Sequence, residues 1–247
     1  YPQALAERPL CMEIPRSYEL DEGKSKHDYA LLLNANLYGL KQAGRVWFLH
    51  LSKRLVEKVG FIQSRNDECV FYRGKVIYVL YIDDSIIVGP DQSEIDQVIT
   101  DIRAANLNIT VEGDIKDFLG VNIQKNGDGT ITFSQPHLIE KILKTLRLDG
   151  ESVKTKSTPA ASSRVLHRHS TSEAFDQSFH YRSVIGMLNY LDAGSRSDIA
   201  YAAHQCARFS QDPKREHGNA VRWLGRYLAG TRDKGMIFKP DHEAGLE

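Results

Sequence analysis

Charge of one sign, paired cysteines and long apolar runs are all missing from this 247-residue chain. Lys+Arg and Asp+Glu number 32 each, so the formal net charge is zero and the chain as a whole has no bulk attraction for a polyanion or an anionic membrane. Any grip on phosphate must be local. Cys11, Cys69 and Cys206 are widely separated and form no Cys-x-x-Cys pair, which argues against a thiolate zinc site and a disulfide framework. A reducing compartment is the simpler expectation. The longest apolar run, Val76 to Ile82, falls far short of the about 20 residues that a spanning helix needs, and no signal-peptide pattern opens the chain. The expectation is a protein that neither spans a membrane nor is exported. With 41% apolar and 26% charged residues, disorder and collagen-like repeats are excluded, and the length suits one large domain or two modest ones. The chain opens on Tyr1-Pro2-Gln3-Ala4 without a Met and reads as cut from something longer.

Apolar periodicity gives the organisation. From Gly44 to Phe61, Val46, Trp47, Leu49, Leu51, Leu55, Val56 and Val59 recur at helical spacing while Lys53, Arg54, Glu57 and Lys58 take the other face, and Gly60 closes the helix. Two β-rich runs, Cys69–Tyr72 and Val76–Tyr81, are joined by Arg73-Gly74-Lys75, and Ile86–Val88 follows Asp83-Asp84-Ser85. This predicts an antiparallel meander whose second turn carries adjacent carboxylates. Ser93 to Ala105 reads as a helix capped by Ser93, with Ile95, Val98, Ile99 and Ile102 buried. Phe118–Gln124 and Thr130–Ser134 flank a hairpin at Asn126-Gly127-Asp128-Gly129. The first half is therefore α+β.

A helix from Pro136 to Leu146 follows, and then Asp149 to His180, rich in Ser, Thr and His and without periodicity, reads as a linker or long surface loop. Helical patterns return over Tyr181–Asp192, Ser197–Ser210 with Ser197 as cap, and Pro213–Leu228, ending near Gly230, before a short strand at Gly235–Phe238. His167, His169 and His180 fall in the loop, where surface exposure is the default reading and zinc the alternative. Residues 1–125 carry 15 Lys+Arg and 18 Asp+Glu, net −3, whereas residues 181–240 carry 10 and 5, net +5. The helical end is the basic end, either as ordinary solvated faces or as a phosphate-tracking surface.

Two local features bear on chemistry. Tyr81-Ile82-Asp83-Asp84 places two like charges side by side among apolar strands; a divalent cation would remove the conflict, although Asp is also an ordinary turn residue. Leu37-Tyr38-Gly39-Leu40-Lys41-Gln42-Ala43-Gly44-Arg45 runs a Gly-punctuated, basic loop into a helix start, which suits either phosphate or a plain helix entry.

Taken in order and spacing, Leu37 to Phe48, Tyr81 to Asp84, Phe118-Leu119-Gly120-Val121 and Tyr181 to Leu191 resemble the reverse transcriptase of copia-type LTR retrotransposons. The resemblance covers essentially the whole chain. It implies an α+β right-hand polymerase: partial fingers and palm over residues 1–134, a first thumb helix over 135–148, a linker or loop over 149–180, a helical thumb over 181–230, and over 231–247 the start of a connection toward ribonuclease H. It implies Asp83 and Asp84 as catalytic ligands for Mg2+, with Mn2+ as a substitute. Tyr38, Gly39, Lys41, Gln42, Arg45 and Tyr81 would lie at nucleotide and template, Phe118, Leu119 and Gly120 would grip the primer, and Arg182, Arg222 and Arg226 would meet the duplex. Ile82 stands where relatives commonly have Val, Gly44 where many have Pro, and Ser197 where Pro is usual.

The implied partners are an RNA template, a DNA primer or RNA–DNA hybrid, deoxynucleoside triphosphates and the rest of a Pol polyprotein, with integrase upstream, ribonuclease H downstream and no membrane. The implied location is the cytoplasm, in virus-like particles. Family enzymes use a third aspartate on a strand that would precede Tyr1, so the expectation is that these 247 residues alone polymerise weakly or not at all. A non-catalytic remnant or co-opted nucleic-acid-binding module is the alternative function, and a water-using metal phosphoesterase a further one.

Overall fold

The computed structural model describes residues 5–21, 23–35, 37, 39–150, 152–161, 165–168 and 172–239, with backbone alone for 5–9 and 35. The chain divides into two compact units, Tyr1–Gly113 and Asp114–Glu247. Mixed α and β content is present in both.

The first unit opens with an antiparallel hairpin of β1 (Leu5–Glu13) and β2 (Ala30–Ala35). Helix α1 (Ala43–Arg54) continues into one π-helical turn at Leu55–Val59 and ends at Gly60, whose φ of 84° allows Phe61 N–H to bond back to the Leu55 carbonyl. The expected meander forms with one strand more than the alternation predicted: β3 (Ile62–Gln63), β4 (Val70–Arg73), β5 (Val76–Tyr81) and β6 (Asp84–Val88) lie in that order, all antiparallel. Period-2 geometry puts Phe71, Val76, Tyr78 and Leu80 on one buried face. Leu51 and Leu55 pack there with Val98 and Ile102 of α2 (Gln92–Ala104). The other face carries Tyr72, Ile77, Val79, Tyr81, Asp84 and Ile86. Asp91, in extended backbone, precedes α2, so Ser93 sits inside the helix rather than capping it. Arg54 donates to the Ala105 carbonyl at the α2 end, and Arg73 pairs with Asp101 at 2.6 Å, tying helix to sheet.

In the second unit the run Phe118–Gln124 is not one strand. Leu119 and Gly120 both have positive φ, 52° and 74°, and fold it into β7 (Asp117–Phe118) and β8 (Val121–Lys125). Strand β9 (Ile131–Ser134) pairs with β8 across the expected turn, and β10 (Met236–Phe238) adds to its far side, giving the order β7-β8-β9-β10. The division between the compact units falls before this sheet, at Gly113, because β10, the last strand among the described residues, adds to the sheet that β7 begins.

Helices α3 (Pro136–Leu146), α4 (Tyr181–Gly194), α5 (Ala200–Ala207) and α6 (Arg215–Ala229) bury Ile142, Leu143, Leu188, Leu191, Ala203, Val221, Leu224 and Leu228 together. A Cβ on Gly225 would stand 2.6 Å from Leu146 Cδ1, so this glycine sets how closely α6 approaches α3. Ser197 begins a single 3-10 turn, and Pro213 stays outside α6 because Lys214 is extended and bridges Ala174. Arg196, 1% exposed, holds Asp198 with two nitrogens, while Tyr227 donates to Asp198 at 2.6 Å and Thr231 accepts two further bonds. A buried guanidinium is tolerated only with such complete pairing.

Between 149 and 180 the sequence lacks periodicity, yet described residues there pack on the helices. Trp223 Nε1 donates to the Thr158 carbonyl at 3.0 Å under Lys156 Nζ, which lies 4.0 Å from its ring centroid, and Phe179 is buried. His180 caps α4 through Nδ1, and His167 accepts from buried His217 through its carbonyl; His169 lies outside the described residues. Among the described residues no group of three or more His, Cys, Asp and Glu side chains could hold a metal ion. No helix there is long and apolar enough to cross a membrane.

Candidate functional site

The acidic doublet sits at the tip of the β5–β6 hairpin. Tyr81 pairs with Asp84, so the two-residue turn is Ile82-Asp83; Asp83 lies on the turn and Asp84 is already the first residue of β6. Tyr81, Ile82, Asp83 and Asp84 are all exposed. Ile82 has φ 56°, a genuine outlier for a β-branched residue, because its Cβ crowds the following carbonyl at about 1–2 kcal/mol. Hairpin turns favour positive φ at the first central position because the resulting twist matches the strands, but they normally place Gly, Asn or Asp there.

Helix α1 supports the turn. Ala43, Trp47, Leu51 and Leu55 fall four apart on one helical stripe; the last two lie in the core, and Trp47 packs partly against it. From that position Trp47 Nε1 donates to the Ile82 carbonyl at 3.0 Å. The ring also stacks on His50 at 6.1 Å between centroids. Burial, and next the charge of Arg54, lower the His50 pKa. A hydrogen bond contributes about 0.5–1.5 kcal/mol net, the same size as the strain at Ile82. Sequence reasoning placed Trp47 in the apolar stripe and missed its polar end; a tryptophan on a half-buried stripe needs an acceptor, and that requirement is the signal that could have found it.

The basic loop enters the same helix. Gly39 has φ 91° with nothing within 4 Å of where a Cβ would stand, Lys41 is exposed, Gln42 is the residue before the first turn, and Arg45 is exposed on that turn. Tyr38 lies outside the described residues. Hence the first unit brings Tyr81, Asp83 and Asp84 together on one hairpin and Gly39, Lys41, Gln42 and Arg45 together at one helix start, with Trp47 linking that helix to the hairpin.

The remaining site residues belong to the second unit. Phe118 and Leu119 are half-buried and Gly120 is exposed at the β7–β8 turn, where the Leu119 carbonyl accepts a hydrogen bond from the Tyr190 hydroxyl on α4. Arg182 donates to the Ser210 carbonyl at 3.0 Å. Arg222 donates to Ser178 Oγ at 2.6 Å and lies over the Phe179 ring. Arg226 is half-buried one turn beyond it on α6. Two of the three arginines therefore also hold loops of their own chain.

Two adjacent carboxylates at a tight turn, exposed and presented from an ordered sheet, offer hard oxygen donors of the kind Mg2+ accepts. They fit such an ion as part of a ligand set completed by water, phosphate or another carboxylate. The acidic hairpin and the helix entered by the basic glycine loop thus belong to one compact unit and are joined by Trp47. Residues 3–162 match the model of the reverse transcriptase (RNA-dependent DNA polymerase) family, and the chain belongs to that family.

Its relatives are Pol polyproteins of copia-type transposons. It is 32% identical over 227 residues to the retrovirus-related Pol polyprotein from transposon RE2 of Arabidopsis thaliana, covering 90% of this chain and 15% of the relative. To that from transposon TNT 1-94 of Nicotiana tabacum it is 29% identical over 243 residues, covering 94% and 18%. To the transposon Ty1-DR1 Gag-Pol polyprotein of Saccharomyces cerevisiae it is 25% identical over 237 residues, covering 88% and 13%. The chain thus spans less than a fifth of the length of these relatives. No solved structure matches it.

Proposed function

We propose that the chain is part of an RNA-directed DNA polymerase that copies a retrotransposon transcript within a Pol polyprotein. The observation that carries this is the Tyr81-Ile82-Asp83-Asp84 hairpin, with its left-handed Ile82, inside the segment that matches the family. The β3–β6 sheet with α1 and α2 acts as the palm, the Gly39–Arg45 loop as the part of the fingers that meets the incoming nucleotide, and α3 to α6 as the thumb.

Asp83 and Asp84 would hold divalent cations, Mg2+ or Mn2+, which would supply charge stabilisation for phosphoryl transfer. The chain's own residues position. Lys41 and the first amides of α1 receive the triphosphate, Tyr81 borders the primer terminus, and Phe118-Leu119-Gly120 carries the primer strand. Arg182, Arg222 and Arg226 lie against duplex phosphates. Base pairing with the template chooses the nucleotide, so the protein reads shape and charge rather than sequence. The partners are an RNA template, a DNA primer, deoxynucleoside triphosphates and the neighbouring Pol domains, and the place is a cytoplasmic particle. These 247 residues carry two of the three aspartates implied by the resemblance, and alone they extend primers poorly.

Primer extension on a primed RNA template tests the proposal with a chain extended upstream through the third aspartate. Elongation should require primer, template, all four deoxynucleotides and a divalent ion. Binding to a labelled RNA–DNA hybrid should weaken steeply between about 50 and 200 mM salt. Phosphate release without primer or template would identify a phosphoesterase instead, and salt-sensitive hybrid binding without extension would identify a non-catalytic module.

A further inference from the structure

We propose that Trp47 is a positioning residue for the acidic hairpin: by holding the Ile82 carbonyl, its indole N–H keeps the Ile82-Asp83 turn left-handed and so fixes the directions of Asp83 and Asp84. The proposal rests on the polymerase reading for its effect on activity, but not for its geometry.

Three observations support it. Trp47 is carried by the stripe of α1 whose next members, Leu51 and Leu55, are 4% and 0% exposed, so its backbone is fixed by the core rather than by the hairpin. The donor reaches 35 residues along the chain to the carbonyl of the residue that has the unfavourable φ. Asp83 immediately follows that carbonyl, so its backbone direction is set by the same peptide unit. If Ile82 relaxed to negative φ, the two-residue turn would splay the strands, and Asp84 would lose its register opposite Tyr81. A misplacement of about 1 Å at a reacting centre can cost about 100-fold in rate.

Glycine at position 82 supplies the experiment, because it adopts positive φ without the Cβ penalty and has no need of the latch. In the full-length enzyme, Trp47→Phe keeps a ring on the stripe and removes the donor. It should lower kcat for primer extension about 10- to 100-fold while changing the nucleotide KM less than about 3-fold, and raise the Mg2+ concentration for half-maximal rate. In an Ile82→Gly background the same substitution should lower kcat less than about 3-fold. Equal losses in both backgrounds would overturn the proposal and leave Trp47 a packing residue, as would no loss in either.

Hydrogen exchange of the Trp47 indole N–H, followed in the same full-length enzyme, decides the geometry without reference to activity. Exchange slowed relative to free indole, and no faster in Ile82→Gly, where the turn that presents the acceptor is unstrained, supports the latch; exchange as fast as free indole overturns it. An enzyme that fails to extend primers yet protects this indole would sink the polymerase reading alone.

Discussion

Two hairpin turns, one in each compact unit, are built from the same parts and put to different uses. At Tyr81–Asp84 a bulky apolar residue, Ile82, has φ 56°, and its carbonyl accepts from an aromatic donor on a helix, Trp47. At Phe118–Val121 another bulky residue, Leu119, has φ 52°, and its carbonyl accepts from Tyr190 on α4. The difference lies in the second central position. Gly120 follows Leu119 with φ 74°, so both central residues are left-handed and the turn has the backbone pattern that short hairpins prefer. Asp83 follows Ile82 and is not among the positive-φ residues, which leaves the strain on one β-branched residue, where glycine would have been easier, and a carboxylate beside it. Strained backbone held from outside occurs at both turns, but only the first carries two adjacent exposed carboxylates. The proposed uses differ accordingly: ion binding at the first turn, a backbone course for the primer strand at the second.

Breaking each turn at its distinctive residue should separate those uses. The largest effect belongs to Asp83→Asn in the chain that includes the third aspartate: template-directed extension should fall at least about 100-fold, the size of losing one preorganised electrostatic group. Asp117→Asn, an exposed carboxylate beside the other turn, should change it less than about 3-fold in the same assay, because a surface carboxylate outside the reacting centre contributes little. Next, Gly120→Ala puts a Cβ on a left-handed residue and should destabilise the second unit by about 1–2 kcal/mol in urea unfolding.

Acid should distinguish the units on a scale of at most about 1.4 kcal/mol per pH unit for each titrating group. His217 is fully buried; Nδ1 accepts from Lys214 N–H and Nε2 donates to the His167 carbonyl, so the folded state needs a neutral ring. Burial lowers its pKa, opposed by the His167 carbonyl, Glu216 and Asp212 and aided by Lys214. A lowered folded pKa means that the unfolded chain binds the proton first. Stability is therefore fully present above the unfolded value of about 6.5 and is lost as pH falls toward the folded value. Thermal unfolding between pH 7.5 and 5 should show this loss, and His217→Gln should flatten it more than His50→Gln does, since His50 is only half-buried. The smallest expected effect is a gain: Leu119→Asn, which tolerates the left-handed region, should raise the midpoint of thermal unfolding by about 1–3 °C.

The sequence made the meander legible because Val76–Tyr81 is a continuous β-rich run and Gly74 marks its turn; the same logic placed α1, α2 and the bounds of α3. It misassigned Phe118–Gln124 as one strand because Leu119 carries no turn signal of its own, and the fold there is settled by Gly120 and by a partner on α4. Cap assignments at Ser93 and Ser197 failed for a related reason: a Ser is a permissive cap, but the backbone is extended at Asp91 and non-helical at Arg196 instead. Long-range polar pairing was the least visible. Nothing in the spacing of Arg196, Asp198, Tyr227 and Thr231 reveals a buried network closed across 35 residues, just as nothing local joins Trp47 to Ile82. The doublet at Asp83-Asp84 was legible as a charge conflict. Its strained presentation required the backbone.

Whether the acidic hairpin binds the ion is decided by paramagnetic broadening with Mn2+, recorded on the full-length protein bound to a primed RNA template. Backbone amide signals should be lost first at Tyr81 to Ser85 at low ion concentration and should recover in Asp83→Asn. Broadening centred elsewhere, or unchanged by that substitution, would contradict ion binding at the hairpin.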